Sequence, residues 1–125
     1  MLPLRYPWAW TAFGWLLVAA VVAGSLLPGH RLPAVLLQDK LVHAGSYFLL
    51  MIWFAGLYER RRHVYIALFL LALGLSLDLV QSRMSTRSFE MLDIAANGVG
   101  ILAGFVLARV LLAGWCQRVE RLLFA

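Results

Sequence analysis

The chain has 125 residues, room for one domain. It is 63% hydrophobic and only 14% charged, with a mean hydropathy of +0.84, whereas soluble domains hold about 45–50% apolar and about 25% charged residues. A water-soluble fold of this size could not hide so much apolar surface, and the net charge of +5 sits in turns and flanks rather than on one solvated face, which argues against a nucleic-acid partner.

Lipid requires a backbone whose polar groups are satisfied internally, so apolar spans must be helices or a closed barrel. The strict apolar–polar alternation of a barrel is missing. The expectation is therefore an all-α polytopic membrane protein with four transmembrane helices and a short C-terminal interfacial helix, in one domain over 1–125.

The first apolar run, about 8–27, is bounded by Pro28 and Gly29. Arg5 gives a weak positive flank and Val21, Val22 and Ala23 a poor cleavage site, while the run is near bilayer length. We read it as a retained helix with Trp8 and Trp10 as interfacial aromatics. The stretch 30–38, with Pro33 and the patch Val35, Leu36 and Leu37, reads as interfacial. A second span covers about 39–58 and a third about 64–81. The basic turn of Glu59, Arg60, Arg61, Arg62 and His63 joins them as antiparallel neighbours. A polar loop, 82–88, leads to the fourth span, about 89–112. In the tail, 114–125, Trp115, Val119 and Leu122 share one helical face and Gln117, Arg118 and Arg121 another, which suits a helix lying in the interface. Cys116 is the single cysteine, so an internal disulfide and a cysteine-based metal site are excluded, and it reads as an inert thiol.

Basic residues set the expected orientation. With the N-terminus inside, Arg5, Arg60, Arg61, Arg62, Arg109, Arg118 and Arg121 are cytoplasmic, against Arg31, Lys40, Arg83 and Arg87 outside. The expectation is a bacterial inner-membrane protein with both termini cytoplasmic. The unusual polar residues of 39–47 and 78–97 then fall in the outer half of one bundle.

Polar groups inside a membrane span are costly, about 2.5–3.5 kcal/mol for an ion at a helix centre, and by default read as functional. Asp39, His43 and Tyr47 form one stripe at i, i+4, i+8; Asp78 and Gln81 share a face, as do Asp93 and Asn97. The Asn97 stripe continues as Gly100 and Gly104, with Ala96 and Ala108 beside it, a small-residue run that lets helices approach closely. The polar face of the fourth helix is thus its packing face.

Three readings compete. In a purely structural one, Asp39, Asp78 and Asp93 pair with Lys40, Arg87 and His43 and set helix register. In an anion-site reading, two helix N-termini together with Lys40, Arg87 and Arg83 hold a phosphate-bearing head group, of a phospholipid or a polyprenyl-linked precursor. In a catalytic reading, His43 with Asp39 or Asp78 acts as base and orienting acid, and Ser46 or Tyr47 as hydroxyl partner. No committed nucleophile is evident, and a metal among these acids would compete with Lys40 and Arg87. Gly98, Gly100 and Ala103 fit a dinucleotide-binding spacing, but follow no strand and lie inside an apolar span; those glycines serve helix packing.

The order Asp39-Lys40-x-x-His43-x-x-x-Tyr47, then Asp78-x-x-Gln81, then Arg87-x5-Asp93-x3-Asn97-x2-Gly100 resembles the VanZ-like family of small bacterial membrane proteins. The likeness covers about 39–104, with Asp78 where many members carry Glu. It implies that Asp39, Lys40, His43, Tyr47, Asp78, Gln81, Arg87, Asp93 and Asn97 form one site at the outer face, near peptidoglycan precursors or their lipid carrier. The founding member is associated with low-level teicoplanin resistance, and no accepted enzymatic activity comes with the family.

The resulting expectation is a lipid-handling protein with no cofactor and no metal, and the catalytic reading, with His43, Asp39 and Asp78 as its candidates, stays open. Arg87 and Lys40 hold the anionic head group, His43 and Tyr47 donate hydrogen bonds, Asp39, Asp78 and Asp93 orient the donors, and Gln81 and Asn97 complete the network. Its partners are membrane lipids, with a second copy or another membrane protein left open.

Overall fold

The computed structural model describes residues 1–26, 36–83 and 91–124; the side chains of 26, 36–40, 81, 82 and 92 fall outside that description. Every regular element described is a helix: α1 (Pro7–Leu26), α2 (Leu36–Ala55), a 3-10 turn (Arg60–Arg62), α3 (His63–Ser82), α4 (Met91–Val110) and α5 (Trp115–Phe124). The first four α-helices have 20 residues each, about 30 Å at 1.5 Å per residue, which is the thickness of a hydrocarbon core. The stretches Pro7–Ser25, Arg60–Val80 and Asp93–Val110 are long and apolar enough to cross a membrane, and α2 contributes the shorter apolar run Leu41–Ala55. Large apolar side chains such as Leu16, Leu68, Leu102 and Val106 face outward, as lipid-facing surfaces do.

The bundle is built around α2 and α4. His43 meets Asn97, Ala44 meets Gly100, and Phe48 and Met51 meet Gly104, so partner numbers rise together and the two helices run parallel. The small-residue stripe is the contact face: Gly100, Gly104 and Ala108 are all buried. At Gly100 the α2 backbone comes so near that a Cβ would press on the carbonyl of Ala44. Helix α1 runs antiparallel to α2, with Gly14 against Trp53 and Phe54 near one end and Gly24 near Val42 and His43 at the other. Helix α3 turns Leu70, Gly74, Leu77 and Asp78 inward.

The end of α2 differs from the expected boundary. Instead of running on to Tyr58, the helix stops at Ala55, and it begins at Leu36, so that 36–38 belong to it rather than to an interfacial segment. The reason lies in Gly56 and His63. Gly56 lies under α5, where a Cβ would meet the Trp115 indole and the Cys116 sulfur. His63 is buried and its Nε2–H donates to Ala55 O at 2.9 Å and Tyr58 O at 3.3 Å, satisfying carbonyls that the helix end leaves open.

At this same end α5 is locked onto the start of α1. Gly114, at φ +68°, turns the chain after α4, a backbone conformation that a Cβ would disfavour. Glu120 then accepts from Arg5 N–H at 2.6 Å, Tyr6 N–H at 3.0 Å and Trp10 Nε1–H at 2.8 Å. Two of these are backbone N–H groups just before α1 and the third is an indole N–H of its first turn, and a carboxylate there also meets the positive end of the helix dipole. Burial pushes the Glu120 carboxyl up, but the bonds from Arg5, Trp10 and Tyr6 and the charge of Arg5 outweigh it and hold the group below the usual carboxylate range. Above this lock, Trp10, Trp53 and Trp115 pack mutually at 5.3–5.6 Å between ring centres. Trp8 is exposed, as expected of an interfacial aromatic, but Trp10 is part of this cluster. The tail helix also differs: it buries Cys116 and Glu120, and Leu122 is 85% exposed. Burial, and then the charge of Glu120, push the Cys116 thiol up to about 12, which agrees with an inert thiol.

Candidate functional site

The polar cluster gathers at the end of the bundle away from α5. Tyr47, Asp78, Asp93 and Asn97 are each no more than 5% exposed, and His43 is half-buried. They come from α2, α3 and α4, and their meeting follows from the helix spacings. The close contact of Ala44 with Gly100 sets α2 and α4 in register, which brings His43 level with Asn97 one turn away. The His43 Nδ1–H donates to Asn97 Oδ1 at 3.1 Å. Interhelical hydrogen bonds in membranes contribute about 0.6 kcal/mol on average and up to about 1.7. This one fixes the imidazole more than it stabilises the fold.

Gly74 was not singled out from the sequence, yet it shapes the site. A Cβ there would stand 2.9 Å from Asn97 Nδ2 and 3.4 Å from the Tyr47 hydroxyl. Its bare backbone lets the amide and the phenol approach α3. One turn on, Asp78 lies on the same face as Gly74 and within electrostatic reach of Tyr47. Asp93 sits one turn before Asn97 on α4. His43, Asp78 and Asp93 all have interaction partners, as buried polar groups require.

Beside this cluster a groove of about 370 Å³ opens between α1 and α2. Leu17, Ala20, Val21, Val42, Leu49 and Leu50 make it largely apolar, while Ser25, His43, Ser46 and Tyr47 give it one polar side. Its size lies within the range of about 300–1,000 Å³ usual for ligand clefts. His43 therefore connects two environments: hydrogen-bonded to Asn97 in the bundle, and lining the groove.

Of the nine residues expected to form one site, His43, Tyr47, Asp78, Asp93 and Asn97 share this region. Asp39 and Lys40 lie in the first turns of α2 and Gln81 near the end of α3, with side chains outside the described residues; Arg87 lies outside them altogether. Arg83 is exposed. Among the described residues no group of three or more His, Cys, Asp or Glu side chains has a metal-binding arrangement. Gly98 and Gly100 lie in the interior of α4, the latter against the α2 backbone. Comparison of the chain with family models, curated proteins and solved structures gives no match.

Proposed function

We propose that the chain is an inner-membrane protein that binds or handles the anionic head group of a lipid or lipid-linked cell-envelope precursor at its polar cluster. The observation that carries this reading is the meeting of the half-buried His43 and the buried Tyr47, Asp78, Asp93 and Asn97 with an apolar groove open between α1 and α2. An amphipathic ligand needs both: a polar end for its head group and an apolar channel for its chain. Lys40, at the start of α2, and Arg87, shortly before α4, supply the positive charge that a phosphate requires. Asp39, Asp78 and Asp93 orient those bases, and His43 and Tyr47 contribute hydrogen-bonding edges. The arginines at the α5 end make that end cytoplasmic by the positive-inside rule, so the cluster faces the outer leaflet. The VanZ-like motif order agrees with a place near envelope precursors.

Native mass spectrometry of gently extracted wild type beside Arg87→Ala tests it. A phosphate-bearing lipid retained by the wild type and lost from a folded variant is the expected result; equal retention refutes the reading.

A second reading draws on the His43–Asn97 bond itself, which ties α2 to α4 as a purely structural network would. In that case replacing Asp78 and Arg87 together by apolar residues of similar volume leaves function intact. On the binding reading the same double variant stays folded and loses its lipid.

A further inference from the structure

The opposite end of the bundle holds an open hollow of about 350 Å³ between the segment before α1 and the face of α5 that carries Glu120. Pro3, Arg5, Gln117, Glu120, Arg121 and Phe124 line it. Arg5 is held in place there: its guanidinium lies 5.7 Å from the Tyr6 ring centre and 5.5 Å from that of Phe124, and donates to Phe124 O at 3.3 Å. Gln117 Nε2–H bridges to Pro3 O at 3.0 Å and fixes the wall. Glu120 is already committed to Arg5 N–H, Tyr6 N–H and Trp10 Nε1–H, so its carboxylate serves the start of α1. Arg121 makes no hydrogen bond or ion pair among the described residues. The cavity thus offers two guanidinium forks against one carboxylate that is occupied elsewhere.

The surroundings say what kind of anion belongs there. Leu122, Leu123 and Phe124 are 85%, 68% and 46% exposed beside Arg121. An amphipathic helix that shows apolar residues and arginines together is built to lie at a lipid surface, with its bases at head-group level. Guanidinium groups match phosphate oxygens in a forked geometry and are weakly hydrated, so they bind phosphate at an interface at low desolvation cost.

We propose that the cavity lined by Arg5 and Arg121 is a binding site for the phosphate head group of an anionic phospholipid. It lies at the end of the bundle opposite the His43 cluster and is independent of what that cluster binds. A lipid phosphate there ties α5, through Arg121, to the start of α1, through Arg5, alongside the Glu120 lock.

The test is a titration by native mass spectrometry. The full chain in detergent is offered phosphatidylglycerol, phosphatidylcholine or inorganic phosphate, as wild type, Arg5→Gln, Arg121→Gln and Arg61→Gln. Arg61 is an exposed arginine at the same end but outside the cavity. The wild type is expected to prefer phosphatidylglycerol, and Arg5→Gln and Arg121→Gln each to weaken it about fivefold, the effect of one interfacial arginine. Arg61→Gln is expected to leave it essentially unchanged, and excess inorganic phosphate not to displace the lipid. An Arg61→Gln loss equal to that of Arg121→Gln would mean a diffuse basic surface and overturn the site. Displacement by inorganic phosphate would overturn the lipid assignment in favour of a free anion. Because Arg121 carries no internal bond among the described residues, Arg121→Gln folds as the wild type does, which keeps the result readable should Arg5→Gln lose stability.

Discussion

Gly100→Ala is the sharpest probe of how the site is held together. The added Cβ would lie against the Ala44 carbonyl oxygen and 2.8 Å from the Ala44 carbonyl carbon. Ordinary contact starts at 3.4 Å, so α2 and α4 must part by about 0.6 Å at that carbon and by more at the oxygen. Both obstacles are backbone, and no rotamer change relieves them. Overpacking of this kind costs about 1–3 kcal/mol, and rigid atoms on the far side put Gly100→Ala near the top of that range. The separation also pulls His43 from Asn97, whose bond spans the same two helices one turn away. Gly45→Ala and Gly98→Ala are the controls: nothing lies within 4 Å of the first and only Leu71 Cδ2, at 4.0 Å, of the second. Both should match the wild type or gain slightly, since alanine is the better helix former. Reversible unfolding in mixed dodecyl maltoside and SDS measures all three. If Gly100→Ala unfolds at the same SDS fraction as Gly45→Ala, the close α2–α4 contact is not what holds the cluster.

Gly74→Ala tests the site more than the fold: its methyl crowds Asn97 Nδ2 at 2.9 Å, and lipid retention by native mass spectrometry should fall while the thermal midpoint in detergent changes little. His63→Phe removes the donor to Ala55 O and Tyr58 O, and should cost about 1–3 kcal/mol in the SDS assay through the buried carbonyls left without a partner. Glu120→Gln loses the charge and turns an amide nitrogen toward an N–H donor, so α5 should undock and Cys116, now fully buried, should react much faster with 4,4′-dithiodipyridine. In the wild type the folded Glu120 carboxyl titrates below its ordinary value of 4.5, so its contribution is present above that value and is lost as the pH falls through the folded one. Cys116 should therefore become reactive in acid in the wild type, and show no such dependence in Glu120→Gln.

The spans were legible because a membrane demands about 20 apolar residues per crossing, and α1, α3 and α4 each carry such a stretch. The α2–α4 contact was legible for a similar reason: Asn97, Gly100, Gly104 and Ala108 repeat at helical spacing, and small residues in a span signal close approach. The same periodicity placed His43 and Tyr47 on one stripe, and Asp93 and Asn97 on another. What escaped was non-periodic. Glu120 meets the start of α1 across 110 to 115 residues of sequence, and no local pattern encodes that pairing. Trp10 looks like an interfacial anchor from its position, and only the fold reveals Trp53 and Trp115 beside it. Gly74 sits alone in an apolar run, and its role depends on two side chains from other helices. The end of α2 at Ala55 coincides with Gly56 beneath α5 and with the His63 bonds to Ala55 O and Tyr58 O, again tertiary contacts that no local pattern encodes.

The most direct test of the proposed function is a photocrosslink from within the groove. Ser46, on the polar side of the groove beside His43, is replaced by p-benzoylphenylalanine, with Val99, 64% exposed on α4, replaced likewise as a bulk-lipid control. After irradiation in native membranes, the mass of the adduct names the lipid. Head-group binding at the cluster predicts a phosphate-bearing lipid or lipid-linked precursor enriched at Ser46 over Val99, and lost when Arg87→Ala is added. The same bulk phospholipids at both positions, unaffected by Arg87→Ala, would contradict it.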